Sequence, residues 1–180
     1  MINITYFVHG TTTDNEQHIA TGWLPGQLSE LGIQQSHDLA GRVANQDFDV
    51  VICSDLKRAV DTTEIAFGKK HKILQDKRLR EANYGDWNGK PDSLFKYKVD
   101  QFINTTYPNG ESYVQVEARI RSLCNELKEK YEGKRVALLA HQAPQIALEV
   151  IANGKTWQQA FEEDWRKTGS YQPGWHYVLK

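Results

Sequence analysis

Three short, mostly apolar runs, residues 3–8, 49–53 and 134–140, most constrain how this 180-residue chain can fold. Each run is followed at once by polar residues and then by a predicted helix. Nearly continuous apolar runs of this length are typical of strands that are buried on both faces of a sheet. Because helices separate the strands, the order of elements predicts an α/β protein with a mostly parallel sheet.

Capping signals place the helices between these strands. Ser29 predicts a helix that runs to about Ala44, and Ser54 or Asp55 predicts the start of the next. Ser112 begins the clearest helix, because Gln115 completes a capping-box pattern with it. The residues that then recur every three or four positions are expected to face the core: Tyr113, Val116, Ile120, Leu123, Leu127 and Tyr131.

The C-terminal part of the chain predicts two further helices and a strand. One helix follows His141 and ends at Gly154, where glycine is a common helix terminator. Another extends from Thr156 to about Lys167. Trp175–Leu179 has the apolar and aromatic content of a closing strand.

Residues 88–111 carry aromatic and basic side chains without a clear period. We expect this segment to form a short cap or insertion that covers the functional site. The length of the chain suits a single domain that spans residues 1–180.

Two histidines and an arginine stand at or just beyond the carboxyl ends of the predicted strands. His9 and Gly10 follow the first strand, His141 follows the third, and Arg58 lies one turn inside the helix after the second. Ligands of open α/β sheets bind at these strand ends, and helix N-termini there offer N–H groups and a positive dipole. The arrangement predicts an anion site, with phosphate as the expected ligand.

Two N-terminal motifs carry a resemblance to a known family. The first, Arg-His-Gly-Glu-Thr-x-x-Asn in that family, is matched here at His9, Gly10, Thr12 and Asn15. The second, Ser-x-Leu-x-Arg-Ala-x-x-Thr, is matched at Ser54, Leu56, Arg58, Ala59 and Thr62.

Two later motifs extend the match over most of the chain. Leu-x-Glu with a trailing Gly-x-Trp-x-Gly is matched at Leu79, Glu81, Gly85, Trp87 and Gly89, and Pro-Gly-Gly-Glu-Ser is matched at Pro108, Gly110, Glu111 and Ser112. The second histidine, usually in Ser-His-Gly-Gly, is His141. In order and spacing these motifs resemble the histidine phosphatase superfamily, also described as phosphoglycerate mutase-like.

The resemblance implies a fold and an activity. The fold is a three-layer α/β/α sandwich, and the activity is hydrolysis of a small phosphorylated metabolite through a phosphohistidine on His9. Arg58 and His141 would neutralise charge on the phosphoryl oxygens. Auxiliary phosphate contacts would come from Asn15, Gly10, Thr62 and Gln142.

Glu81 would protonate the leaving oxygen and then activate the attacking water. No metal or other cofactor is called for, and a homodimer is left open.

Two departures from the motifs keep alternatives open. Val8 stands where the family has its first phosphate-binding arginine, and Gln142-Ala143 replaces Gly-Gly after the second histidine. One alternative is a catalytically impaired member that binds a phosphorylated ligand or protein. Another is a mutase, which would pass the phosphoryl group to a second hydroxyl.

Composition excludes several other classes of protein. The net charge is −1 and basic residues form no stripe, so nucleic acid is not an expected partner. No apolar run is long enough to cross a membrane, and the first strand begins without a basic and apolar leader, so a cytoplasmic location is expected.

Two other catalytic designs fit the sequence poorly. Cys53 and Arg58 resemble a cysteine-phosphatase loop, but only four residues separate them and none is glycine. The sequence also lacks a convincing cluster of metal ligands.

Overall fold

The computed structural model describes residues 1–169 and 174–180, and its centre is a five-stranded sheet. The strands of the described residues are β1 (Ile2–Val8), β2 (Ile19–Ala20), β3 (Val50–Cys53), β4 (Ile73–Gln75), β5 (Lys90–Pro91), β6 (Arg135–Ala140) and β7 (Trp175–Leu179). β2 and β5 form a separate two-stranded sheet, and the other strands form the central sheet. The order in the central sheet is β4-β3-β6-β1-β7, and β7 alone runs antiparallel to its neighbour. The mostly parallel sheet predicted from the sequence is therefore confirmed.

Helices connect these strands. They are α1 (Thr13–Glu16), α2 (Glu30–Val43), α3 (Lys57–Phe67), α4 (Tyr113–Lys130), α5 (Gln142–Asn153), α6 (Trp157–Glu162) and α7 (Trp165–Thr168). Ser29 caps α2, and Ser112 with Gln115 forms the predicted capping box of α4. Gly154 ends α5 in the left-handed conformation at φ 68°, which glycine adopts without steric cost.

Two helix boundaries differ from the prediction. The N-cap of α3 is Leu56, whose side chain makes no capping bond, while the Ser54 hydroxyl accepts a hydrogen bond from the Leu56 N–H at 3.3 Å. The single helix expected from Thr156 is broken into α6 and α7. Asp164 causes the break, because its carboxylate caps the new helix by accepting from the Arg166 N–H.

The sheet separates two helical layers. Phe7, Val51 and Leu139 pack with α2 and α3 on one face. Tyr6, Ile52 and Leu138 pack with α4 and α5 on the other. The alternation along each strand sends neighbouring side chains to opposite layers, which gives the three-layer α/β/α sandwich.

The segment at 88–111 contains β5 and two 3₁₀ helices, Asp92–Leu94 and Val99–Phe102. β5 pairs with β2, which fastens the segment to the turn after β1. Phe95 stacks on Trp87 with ring centroids 5.7 Å apart, and Phe102 stacks on Tyr107 at 4.0 Å. Aromatic packing thus holds a segment that has little regular backbone structure.

Candidate phosphate-binding site

The parallel pairing of β1 with β6 brings the two predicted histidines together. Val8 is in register with Ala140, and the His9 N–H donates to the Ala140 carbonyl. The His9 and His141 rings lie one residue beyond this pair, with centroids 5.0 Å apart. Strand register therefore makes a two-histidine site from residues 132 positions apart in the chain.

His9 is held as a neutral imidazole. Its Nδ1 donates to the Gly10 carbonyl at 2.7 Å, so in the neutral ring Nε2 carries the free lone pair. Burial and then the positive charge of Arg58 lower the pKa of His9 to about 3. The imidazole of His9 is therefore unprotonated at neutral pH.

His141 is fully buried, and neither of its ring nitrogens has a hydrogen-bond partner among the described residues. Burial, and then Arg58 and His9, place the pKa of His141 well below its ordinary value. The Tyr6 hydroxyl fixes the backbone beneath the ring, because it donates to the His141 carbonyl at 2.7 Å and accepts from the His141 N–H at 3.0 Å. A polar ring that is fixed but unpartnered is typical of a functional site.

Arg58 is buried beside the two histidines. Its Nη1 donates to the Leu24 carbonyl at 2.9 Å and its Nη2 donates to the Gly22 carbonyl at 2.8 Å. A guanidinium has five N–H donors, so these bonds position the group and leave donors for an anion.

Gly10 and Thr62 bond to the protein and to each other. The Gly10 N–H donates to the Thr62 hydroxyl at 3.0 Å, and that hydroxyl donates to the Arg58 carbonyl at 2.8 Å. A Cβ on Gly10 would lie 2.4 Å from the Gly32 carbonyl oxygen of α2. The missing side chain of Gly10 thus permits close packing of α2. The sequence predicts phosphate contacts for Gly10 and Thr62, whereas the structure bonds them to each other and to Arg58.

Glu81 occupies the N-terminus of α5. Its Oε1 accepts from the Ala143 N–H at 2.9 Å, and its Oε2 accepts from the Gln142 N–H at 3.2 Å. The helix dipole favours a carboxylate at this position. The Gln142 N–H, predicted to bind phosphate, is bonded to Glu81 instead.

The Glu81 backbone is also held firmly. The Trp23 indole N–H and Arg119 Nη2 both donate to its carbonyl, at 2.7 and 3.0 Å. Glu111 pairs with Arg119 and accepts from the Asn83 N–H, which locates the loop around Glu81. Sequence analysis matched Glu111 to a motif but gave it no role, and it missed Arg119 because the partners meet only after folding.

A cavity of about 400 Å³ collects most of the predicted residues. Its lining includes Val8, His9, Asn15, Arg58, Glu81, His141 and Gln142. The Asn15 carboxamide oxygen accepts from the Thr12 N–H in the capping box of α1, which leaves the amide group available. Phe95 and Val99 of the segment at 88–111 also line the cavity.

Three basic residues of the lining were not predicted from the sequence: Lys96, Arg166 and Lys167. No spacing in the sequence distinguishes them from surface charges. Their presence depends on how the 88–111 segment and α7 fold back over the sheet edge.

The competing nucleophile is poorly placed. Cys53 is buried within β3, and burial raises the pKa of its thiol to about 11. A thiol with a raised pKa is a weak nucleophile at neutral pH.

Among residues 1–169 and 174–180, no group of three or more His, Cys, Asp or Glu side chains could hold a metal ion. No helix in this described part is long and apolar enough to cross a membrane.

The fold and the paired strand-end histidines define a phosphoglycerate mutase-like class of protein, and comparison with known proteins agrees. The family model "Histidine phosphatase superfamily (branch 1)" matches residues 6–172. The chain therefore belongs to this superfamily, which confirms the resemblance and the predicted phosphatase class of enzyme.

Several relatives are named for work on phosphorylated compounds. Fructose-2,6-bisphosphatase TIGAR of Xenopus tropicalis is 33% identical to this chain over 73% of its length. The match spans about half, 53%, of the length of that relative. A probable phosphoglycerate mutase GpmB of Yersinia pestis is 32% identical, covering 78% of this chain and 70% of that protein. The solved structure of a mycobacterial glucosyl-3-phosphoglycerate phosphatase with VO3 has a TM-score of 0.78 at 28% identity, covering 89% and 86%.

Proposed function

We propose that this protein hydrolyses phosphomonoesters of small metabolites through a phosphohistidine on His9. The observation that carries the proposal is the pair of neutral imidazoles whose centroids lie 5.0 Å apart, one with a free Nε2 and the other without a partner. A phosphoryl group between them would receive a nucleophile from one ring and a hydrogen bond from the other.

In the first step, His9 Nε2 attacks phosphorus and the bond from phosphorus to the leaving oxygen breaks. Glu81, which enters this step in its protonated form, transfers the proton to that oxygen, which leaves as an alcohol. Arg58 and His141 stabilise the charge on the non-bridging oxygens, and the Asn15 amide is a further donor.

In the second step, water attacks the phosphohistidine. Glu81 accepts the proton of the water, the bond between phosphorus and His9 Nε2 breaks, and inorganic phosphate forms. We assign Gly10 and Thr62 to positioning Arg58 rather than to phosphate contact, since their bonds connect β1 to α3.

The segment at 88–111 is proposed to cap the site and to select the leaving group. Phe95 and Val99 give one wall of the cavity an apolar surface, while Asp92 and Lys96 give it charge. A cap that borders the leaving group affects the choice of substrate more than the chemistry at phosphorus.

The proposal predicts labelling of His9. Incubation with a radiolabelled phosphoryl donor should yield an acid-labile, alkali-stable label that His9→Ala abolishes, because the N–P bond of phosphohistidine is acid-sensitive. A panel of phosphomonoesters assayed with wild type and His9→Ala should show turnover only with the wild type. An acid-stable label, or one on Cys53, would contradict the mechanism.

A second candidate, binding of a phosphorylated ligand without turnover, is favoured by Val8 at the cavity wall. It predicts phosphate affinity without hydrolysis or label. A mutase, the activity named in the Yersinia relative, would instead label His9 and transfer the group to an added acceptor alcohol.

A further inference from the structure

Position 8 lacks the side chain that a phosphate site at this strand end would use. Val8 is partly buried, packs against the α4–α5 side of the core and lines the cavity with apolar surface only. Arg58 of α3, the helix after β3, is a cation of the cavity lining on this side. A dianionic phosphoryl group generally requires more than one fixed cation or donor set for stabilisation in its transition state.

Arg166 brings a second guanidinium to the same cavity. It lines the cavity together with His9 and His141, and only a quarter of its side chain is exposed. Its charge contributes to lowering the pKa of both imidazoles, so its field reaches the place where the phosphoryl group would lie.

The guanidinium of Arg166 is fixed in place. Nη1 donates to Asp164 Oδ1 at 2.9 Å, both Nη atoms donate to Gln145 Oε1 at 3.2 Å, and the group lies 4.4 Å from the Trp165 ring centre. These contacts with described residues use three of its five N–H donors, and the remaining two suit a bidentate contact with an anion.

The second departure from the motifs anchors the helix that carries Arg166. Gln142 Nε2 donates to Asp164 Oδ2, which ties α7 to the start of α5 beside His141. The Trp165 ring stacks on Trp175 of β7 at 5.2 Å, which holds α7 from the other side. Glycine at position 142 could not make the first of these contacts.

Resting on the proposed function, we propose that Arg166 takes the place of the missing strand-end arginine and binds the phosphoryl oxygens, with Gln142 and Asp164 as its positioning residues. The two sequence departures, at Val8 and Gln142, are then parts of one rearrangement. The cation comes from α7 rather than from β1, and a side chain on α5 holds it.

Arg42 offers a matched control. It lines a neighbouring cavity of about 420 Å³ that also borders Val8 and His9 but excludes Arg58, Glu81 and His141. It is an exposed arginine near the site that we place outside phosphate binding.

The test measures binding of inorganic phosphate and vanadate by calorimetry, with kcat/KM for the best ester of the panel. Arg166→Gln should weaken phosphate binding about 10- to 100-fold, because the variant loses charge-assisted hydrogen bonds to the anion. Arg42→Gln should change it less than twofold. Equal losses in the two variants, or none in Arg166→Gln, would overturn the proposal.

Two double variants separate phosphate contact from a structural role. Val8→Arg combined with Arg166→Gln should recover at least tenfold in phosphate affinity, because both cavities that border position 8 leave room for a guanidinium. Asp164→Asn combined with Arg166→Gln should recover melting temperature, because no unpaired carboxylate remains, yet leave phosphate binding weak. Recovery of binding in the second double variant would show that Arg166 only neutralises Asp164.

The binding readout also separates this inference from the proposed function. Phosphate binding by the wild type without turnover or His9 label would contradict hydrolysis, and the arginine variants would still decide the role of Arg166. Turnover that Arg166→Gln leaves intact would contradict the inference alone. Failure of the wild type to bind phosphate would overturn both.

Discussion

At the scale of single residues, the site combines the His9 imidazole, whose Nδ1 is bonded to the Gly10 carbonyl, with a carboxylate held by backbone donors. The N–H groups of Ala82, Gln142 and Ala143 all donate to Glu81, and the carboxylate is buried. Oε1 accepts two of these bonds and Oε2 accepts one, so the group is fixed in orientation and one lone-pair direction of Oε2 is left for a proton. Glu81 is therefore suited to exchange a proton with one defined position.

Replacing Glu81 by Gln should reveal its role through the leaving group. The variant keeps the shape of the side chain but cannot donate a carboxylic acid proton. For alkyl phosphates, kcat should fall by about 10²- to 10⁴-fold, the usual effect of losing a general acid. Aryl phosphates should lose much less, because their leaving groups need little protonation. Steady-state assays with both ester types check this, and equal losses would remove Glu81 from the acid role.

At the scale of elements, the loop that carries Glu81 depends on α4. Arg119 of α4 donates to the Arg78 and Glu81 carbonyls, and its charge is paired with Glu111 just before the helix begins. Both side chains are mostly buried, because only 15% of the Arg119 side-chain surface and 17% of that of Glu111 is exposed. A short ion pair therefore connects the motif around Pro108 to the proposed acid.

Glu111→Gln should destabilise this connection without touching the cavity. The free energy of unfolding should fall by about 1–3 kcal/mol, because Arg119 and the Asn83 N–H lose a charged acceptor. We expect kcat for alkyl phosphates to fall with it, since Glu81 is less well positioned. Urea unfolding and steady-state kinetics measure both, with exposed Glu129→Gln on the same helix as control. Unchanged kcat would restrict Glu111 to a structural role.

At the scale of the whole molecule, folding places two neutral histidines in a cavity beside arginines. The pKa of His9 is about 3 in the fold, against about 6.5 for an exposed imidazole. Between these values the unfolded chain binds a proton that the folded chain does not, so stability must rise with pH in that range. His141 shifts in the same direction.

Acidification should therefore destabilise the wild type more than a His9→Gln variant. The contribution of His9 is fully present above pH 6.5 and is lost as pH falls towards 3. From pH 7.0 to 5.5 the wild type should lose up to about 1.3 kcal/mol more than the variant, from the proton linkage of a group whose pKa is about 6.5 in the unfolded chain. Urea unfolding at the two pH values measures the difference. A larger loss in the variant would mean that His9 is charged in the fold.

What the sequence determined by itself was local or carried by motifs. Apolar runs and capping residues predicted the strands that end at His9 and His141 and helices α2, α4 and α5, because these signals act within a few residues. Tertiary structure alone decided the partners of Thr62 and the Gln142 N–H, and the break at Asp164. It also decided the approach of Arg166, because α7 meets α5 through side chains some twenty residues apart. Such contacts depend on packing across layers, which leaves no period in the sequence.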